Sequence, residues 1–240
     1  MIIGTRHGER ADQTNNEIER AKIEKSYDVH LTDKGAVQCS KSGEYIKSII
    51  GNKKAIVICS PFLRTIQTAV NAAQHLNVYN NTIYLQDEVG EILIPKDFKE
   101  NPHPKIHVNE NGFEKVKSYI DYEKLGFKLE KNGFVQDERM IKAIYPEDLD
   151  YCVKRLTLFQ EALVEKFSKE FSLDDHVICI FSHQGPLRAW RIVLNRGNED
   201  GLPIYNYCGI TIAEWEDMKK EPNKWVMSKN GNNEHIKDYL

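Results

Sequence analysis

The segment Thr5-Arg6-His7-Gly8-Glu9-Arg10 sets a histidine with one arginine before it and another three residues after. A neutral imidazole attacks phosphorus when one ring nitrogen is free and the other is held as a donor. Guanidinium forks match phosphate oxygens, so flanking arginines suit an anionic group. A glycine after the histidine lets backbone and substrate approach closely. A surface turn with ordinary charges satisfies the same string, so alone it only suggests an anion site. The second cluster is Ser60-Pro61-Phe62-Leu63-Arg64-Thr65. Proline near a helix start is routine. Arg64 then falls in the first turn, where the helix dipole disfavours a cation without a partner. A bound phosphate would supply that partner, and so would a carboxylate from another loop. The third cluster, Ser182-His183-Gln184-Gly185-Pro186, puts His183 at a strand's end before a helix. There it donates to a phosphoryl oxygen or is a satisfied core histidine. Arg188 and Arg191, on the following helix, read as partners of surface acids.

Each cluster directly follows a short apolar run: Met1 to Thr5, Ala55 to Cys59 and Val177 to Phe181. The second and third are rich in β-branched residues, and all three read as buried, parallel strands. Thr82 to Leu85 is a fourth candidate, and Ile210 to Trp215 and Trp225 to Met227 are late ones. Helical patterns lie between them. One opens at Thr32-Asp33-Lys34 and ends at Gly51, a residue suited to a helix C-terminus. Leu63 to Leu76 and Pro186 to Leu194 follow the second and third strands, and Glu147 to Phe171 has apolar residues near helical spacing. Strands alternating with helices imply an α/β fold, and ligands in such sheets bind beyond the carboxyl ends of the strands. The three polar clusters sit at those ends, and random placement would rarely gather them there. The stretch from Ile92 to Tyr145, with three prolines, three glycines and weak periodicity, reads as an insertion that caps the sheet or as a surface loop with short helices. The polar tail from Lys229 to Leu240 reads as mobile.

The 240 residues suit one large domain, or one with a sizeable insertion. A net charge of -3 argues against a general nucleic-acid or membrane-surface binder. Five cysteines without CxxC or metal-type spacing, Cys59 and Cys179 inside apolar runs, read as buried reduced thiols in a reducing, cytoplasmic compartment. Met1-Ile2-Ile3 is too short for a signal peptide's apolar region, and no stretch is long and apolar enough to span a bilayer.

Taken together, Arg6-His7-Gly8, the Ser60-Pro61-x-x-Arg64-Thr65-x-Gln67-Thr68-Ala69 stretch, Ser182-His183-Gln184-Gly185 and Leu31-Thr32-Asp33-Lys34-Gly35 resemble the histidine phosphatase superfamily, in the branch that includes phosphoglycerate mutases. The fuller run through Arg10, Asp12 and Gln13 is similar to the phosphatase domains of the suppressors of T-cell receptor signalling. The serine-x-x-asparagine pattern of the mutases is missing, and His183-Gln184 stands where the acid phosphatase branch has histidine-aspartate. The resemblance implies a single domain over 1–240, inserted at about 92–145: a three-layer sandwich with a mostly parallel central sheet flanked by helices. It implies a phosphohistidine on His7, phosphate held by Arg6, Arg10, Arg64 and His183, and no metal or cofactor. The family's general acid is expected soon after the third strand. In Asp87-Glu88-Val89-Gly90-Glu91-Ile92 its leucine-x-glutamate pattern favours Glu91, with Glu88 in reserve. The expected activity is hydrolysis of a phosphomonoester, phosphotyrosine or another aryl or small-molecule phosphate, on a small molecule or a phosphoprotein. Related domains are often dimers. Three alternatives stay open: a mutase or sugar-bisphosphate phosphatase, a non-catalytic phosphate-binding module, and a metal-dependent hydrolase built on the histidines.

Overall fold

The computed structural model describes residues 1–131, 133–195, 205–215 and 225–240. Its strands are β1 (Ile2–Arg6), β2 (Lys54–Cys59), β3 (Asn77–Leu85), β4 (Lys128–Glu130), β5 (His176–Ser182), β6 (Ile210–Trp215) and β7 (Trp225–Asn232). Its helices are α1 (Glu17–Ala21), α2 (Asp33–Ile50), α3 (Leu63–Ala73), α4 (His107–Glu110), α5 (Gly112–Lys117), α6 (Leu149–Glu170) and α7 (Gln184–Leu194). The sheet order is β4-β3-β2-β5-β1-β6-β7. From β4 to β1 all neighbours are parallel, and β6 and β7 close the other edge antiparallel.

The layering follows from strand alternation. Successive side chains point to opposite faces, so Ile3, Val57, Cys59, Cys179 and Phe181 pack with α2 and α3, while Ile2, Ile56, Ile58, Ile178 and Ile180 pack with α6 and α7. A sheet apolar on both faces must be covered twice, and the result is a three-layer α/β sandwich. Helix ends are set locally. Thr32 accepts the Gly35 N–H at 2.9 Å and starts α2, and Gly51 ends it at φ +60°.

The expected strand from Thr82 begins earlier, at Asn77. Asn80 and Asn81 both sit at positive φ and break the β2–β3 register between Ala55 and Val57. Asparagine tolerates that backbone region, so a bulge inside a strand looks like a turn in the sequence. The tail is a correction. β7 runs to Asn232 and a 3-10 turn follows over Glu234–Tyr239. There Ile236 is fully buried, His235 stacks on Tyr45 with ring centroids 4.7 Å apart, and Gln38 Nε2 donates to the Tyr239 carbonyl at 2.8 Å. The polar tail therefore docks on α2. Arg191 is a second correction: it lies in the interior, its guanidinium 4.2 Å over the Tyr205 ring, and donates to Asn230 Oδ1. Arg188, on the same helix, is exposed.

The stretch from Ile92 to Tyr145 carries a 3-10 turn, α4, α5 and β4. It lengthens the sheet through β4, and Phe98, Ile106, Val108, Val116, Tyr122 and Phe127 join the core shared with α2 and α3. Among the described residues, no helix is long and apolar enough to cross a membrane.

Candidate active site

Sheet register assembles the site. Arg6, the last residue of β1, stands opposite Ser182, the last of β5, and Cys59 of β2 stands opposite Phe181. The chains leave the sheet together: the His7 N–H donates to the Ser182 carbonyl at 3.1 Å and the Ser60 N–H to the Phe181 carbonyl at 3.0 Å. The His7 and His183 rings consequently face each other edge-on, with centroids 5.4 Å apart.

His7 is 2 % exposed, and its Nδ1 lies 2.8 Å from the Gly8 carbonyl oxygen. A carbonyl only accepts, so Nδ1 carries the proton and Nε2 keeps the lone pair. Burial, then Arg64 and Arg6, hold the His7 pKa well below its ordinary 6.5, so the ring is neutral at pH 7. The close approach at Gly8 is made to protein: a Cβ there would meet the Gly35 carbonyl oxygen at 2.6 Å and Cys39 Sγ at 2.7 Å. Two glycines, Gly8 and Gly35, thus let the His7 loop lie directly on the start of α2.

His183 is fully buried, with Nε2 2.8 Å from Ser60 Oγ. Ser60 Oγ also accepts the Phe62 N–H at 3.5 Å and keeps a second lone pair, so either Oγ or Nε2 donates in the pair. With Ser60 as the donor the His183 proton lies on Nδ1, which has no hydrogen-bond partner among the described residues. Glu91 Oε2 stands 3.3 Å from it without hydrogen-bond alignment. Burial, then Arg64, keep the His183 pKa well below 6.5.

Arg64 is 1 % exposed on the first turn of α3, its guanidinium 4.8 Å from the Phe62 ring centroid. Nη2 donates to Glu91 Oε2 across a long 3.4 Å, while Nε and Nη1 have no partner among the described residues. Burial pulls its pKa down to about 10, with Arg10 adding to the effect. A buried cation with orphaned donors costs free energy unless an anion arrives. The helix dipole is met separately. Asp28 accepts the Leu63 N–H of α3 and the His107 N–H of α4, each at 2.7 Å, and burial raises its pKa. Asp28 sits in a stretch with no periodicity, and nothing in the sequence marks it.

Arg6 donates to the Tyr205 carbonyl and lies 4.7 Å from the Tyr207 ring centroid, while its buried Nε has no partner among the described residues. Tyr207, whose ring centroid is 6.1 Å from that of His7, also went unmarked by the sequence. Arg10 stands at the rim, its Nε donating to Asp12 Oδ1 at 2.9 Å.

The two candidate acids part company. Glu91 lies beside Arg64 and His183, 17 % exposed, and its pKa is raised by burial against the opposing pull of Arg64. Glu88 accepts from Gln86 Nε2, and Gln86 in turn exchanges hydrogen bonds with the Val135 backbone. The motif residues behind Arg64 tie loops together. Thr68 Oγ1 donates to the Arg64 carbonyl and accepts the Gly8 N–H, and Gln67 Oε1 accepts the Leu31 N–H. Among the described residues, no group of three or more His, Cys, Asp or Glu is placed to hold a metal ion. All five cysteines are buried and free.

This arrangement resembles known proteins. No curated protein sequence matches the chain. Among solved structures, the ecdysone phosphate phosphatase of Bombyx mori superposes with a TM-score of 0.63 at 18 % identity, covering 96 % of this chain and 92 % of that one. A mycobacterial glucosyl-3-phosphoglycerate phosphatase gives 0.61 at 13 % identity, covering 96 % and 97 %. A phosphoserine phosphatase from Entamoeba histolytica gives 0.57 at 18 % identity, covering 98 % of each chain. At such identities the likeness is one of fold. At the level of sequence, residues 2–107, which carry the His7 and Arg64 clusters and Glu91, match the histidine phosphatase superfamily (branch 1).

Proposed function

We propose that this chain is a phosphomonoester hydrolase of the histidine phosphatase superfamily, working through a phosphohistidine on His7 without a metal ion. One observation carries the reading. Arg64, Arg6 and His183 each bring a buried nitrogen without a hydrogen-bond partner among the described residues close to a neutral imidazole whose proton is fixed on the far nitrogen. Such a cluster is costly in the free protein and is satisfied by a tetrahedral, multiply charged oxyanion.

The reaction takes two displacements. His7 Nε2 attacks phosphorus in line, and Arg6, Arg64 and His183 Nδ1 hold the equatorial oxygens. The phosphorus–oxygen bond to the leaving group breaks, and Glu91 gives that oxygen its proton. The resulting carboxylate then takes a proton from water as it attacks the phosphohistidine, releasing phosphate and restoring both groups. Positive charge comes from guanidinium groups. Arg10, held by Asp12 at the rim, is free to swing onto the phosphate or its carrier. The run from Arg6 to Gln13, with its likeness to the suppressors of T-cell receptor signalling, favours an aryl phosphate such as phosphotyrosine, and Tyr207 gives an aromatic wall beside Arg6. The structural neighbours named for ecdysone phosphate, phosphoserine and glucosyl-3-phosphoglycerate carry their phosphate on varied leaving groups. The phosphoryl end is therefore the shared element.

The direct test is rapid quenching with a 32P-labelled monoester in excess chelator. An acid-labile, alkali-stable label on the His7 peptide is expected, with steady-state turnover unchanged by the chelator. Turnover without such a label, or lost with the chelator, rejects the scheme.

The pH profile of kcat/KM is a second check. His7 attacks only when neutral, and its depressed pKa puts the acid limb below 6.5. In the first displacement, Glu91 serves only when protonated. Its raised pKa keeps some of it protonated above 4.5, and that fraction falls as pH rises through the raised value. A bell with an acidic optimum is expected, and Glu91→Gln should remove the alkaline limb. A profile that climbs steadily through neutrality in the wild-type protein is incompatible with Glu91 as the acid.

A further inference from the structure

We propose that Arg155 and Glu147 form a buried clamp that positions Glu91 for proton transfer, an inference that rests on Glu91 being the acid of the preceding reading. Arg155 and Glu147 have fully buried side chains and lie away from the phosphate donors, on and just before α6. Their pairing is bidentate: Nε reaches Glu147 Oε1 and Nη2 reaches Oε2, each at 2.8 Å. Apart from a 3.4 Å contact of Nη2 with Cys152 Sγ, the remaining donors of Arg155 go to the loop that carries Glu91. Nη1 donates to the Glu88 carbonyl at 2.6 Å, and Nη1 and Nη2 share the Gly90 carbonyl at 3.3 Å. Glu147 adds its own N–H to the Leu93 carbonyl at 3.0 Å. The pair therefore grips the backbone on both sides of Glu91. Between those grips Ser182, next to His183, donates its hydroxyl to the Val89 carbonyl at 2.6 Å.

The grip reaches the carboxyl group. Glu91 Oε1 accepts the Ile92 N–H at 3.1 Å, so the peptide at 91–92 aims the side chain. A shift in that peptide moves Oε2 relative to Arg64 and His183. Well-packed apolar residues commonly replace a buried ion pair without loss of stability, so fold stability alone does not account for this one. Positional accuracy does, because a misplacement of about 1 Å in a reacting group costs about 100-fold in rate. Arg155 is thus a positioning residue and touches no substrate.

The test exploits the leaving group. A displaced acid harms esters of poor leaving groups, which need protonation, and spares esters of good ones, which depart as anions. Arg155→Met, Arg155→Lys and Glu91→Gln would be compared with wild type on β-glycerophosphate and on 2,4-dinitrophenyl phosphate. Arg155→Met is expected to lose about 100-fold in kcat/KM, which reports the phosphorylation step alone, on the first and less than about 5-fold on the second. Its inhibition constant for inorganic phosphate should stay unchanged, since Arg6, Arg64 and His183 are untouched. Arg155→Lys, which keeps the charge and part of the grip, should fall between. Should the methionine variant fail to fold, the lysine variant decides alone. Equal losses on both esters, or weakened phosphate inhibition, reduce the pair to a structural role and overturn the proposal. If Glu91→Gln itself shows no leaving-group dependence, Glu91 is not the acid and both readings fall. If Glu91→Gln shows it and neither Arg155 variant does, only the clamp falls.

Discussion

Replacing His7 by alanine will cut hydrolysis of 4-nitrophenyl phosphate by at least about 10,000-fold and leave the fold intact. The size of the loss follows from what the other groups can do alone. Arg6, Arg64 and His183 would still gather phosphate, but a water molecule in the cavity has neither the nucleophilicity of imidazole nor its fixed line of attack. Removing the nucleophile from a site that works as a unit typically leaves only binding and electrostatic stabilisation behind. Survival of the fold follows from how little His7 holds up. Its side chain makes one hydrogen bond, to the adjacent Gly8 carbonyl, and its backbone bonds to Ser182 and Cys208 are kept by any residue. Circular dichroism and thermal melting would check the fold, and inorganic phosphate should still bind. A His7→Gly variant should recover part of its turnover with added imidazole, which fills the vacated space. Activity within about 10-fold of wild type in the alanine variant would falsify the phosphohistidine route.

The residues proposed to bind phosphate were legible as strand-end clusters in the sequence because the fold makes them so. A buried parallel strand is an unbroken apolar run, and its carboxyl end is the first place a polar residue is tolerated. His7, Ser60 and His183 each stand at such a break, and parallel pairing brings the breaks to one edge. What lies beyond that edge is set by contacts distant in sequence, and these left no local signal. Glu88 and Glu91 share one short polar loop. Gln86 turns Glu88 aside, and Arg155 holds the Gly90 carbonyl just before Glu91. Arg155 itself looks like an ordinary charged residue of a helix whose apolar spacing passes it by. The tail reads as polar and loose because only Ile236 in it is buried apolar surface, yet His235 and the Tyr239 carbonyl dock it on α2. Asn80 and Asn81 hide the first half of β3 because a bulge uses the residues a turn uses. The fold class was therefore readable from apolar runs alternating with helical patterns, and the motif resemblance favoured Glu91, whereas the contacts that separate Glu91 from Glu88 needed three dimensions.

The second large effect is expected at Arg64, where catalysis and stability should move in opposite directions. Arg64→Met should lower kcat/KM by about 1,000-fold, since removing one well-placed donor to a developing oxyanion costs about 2.7–4 kcal/mol, and here several donors leave together. Inhibition by inorganic phosphate should weaken in parallel. The same change should raise the melting temperature at acidic pH. In the free protein the Arg64 guanidinium is desolvated and two of its three nitrogens have no partner among the described residues, a cost that its long contact with Glu91 offsets only in part. Burial accordingly pulls its pKa down to about 10, against a carboxylate that favours the charged form. Methionine covers much of the same space against Phe62 with no polar group to satisfy. The pH matters because of Glu91. Without Arg64 beside it, its pKa, already raised by burial, rises further. Below that value the carboxyl group is protonated and neutral, so losing its partner costs little. Above it, folding must bury an unpaired carboxylate, and the gain shrinks as pH rises. Melting curves of the two proteins compared at about pH 5 and about pH 8 would check this. A methionine variant less stable than wild type at the lower pH would mean that the unpartnered donors carry no strain, and the main support for an anion site beside His7 would be lost.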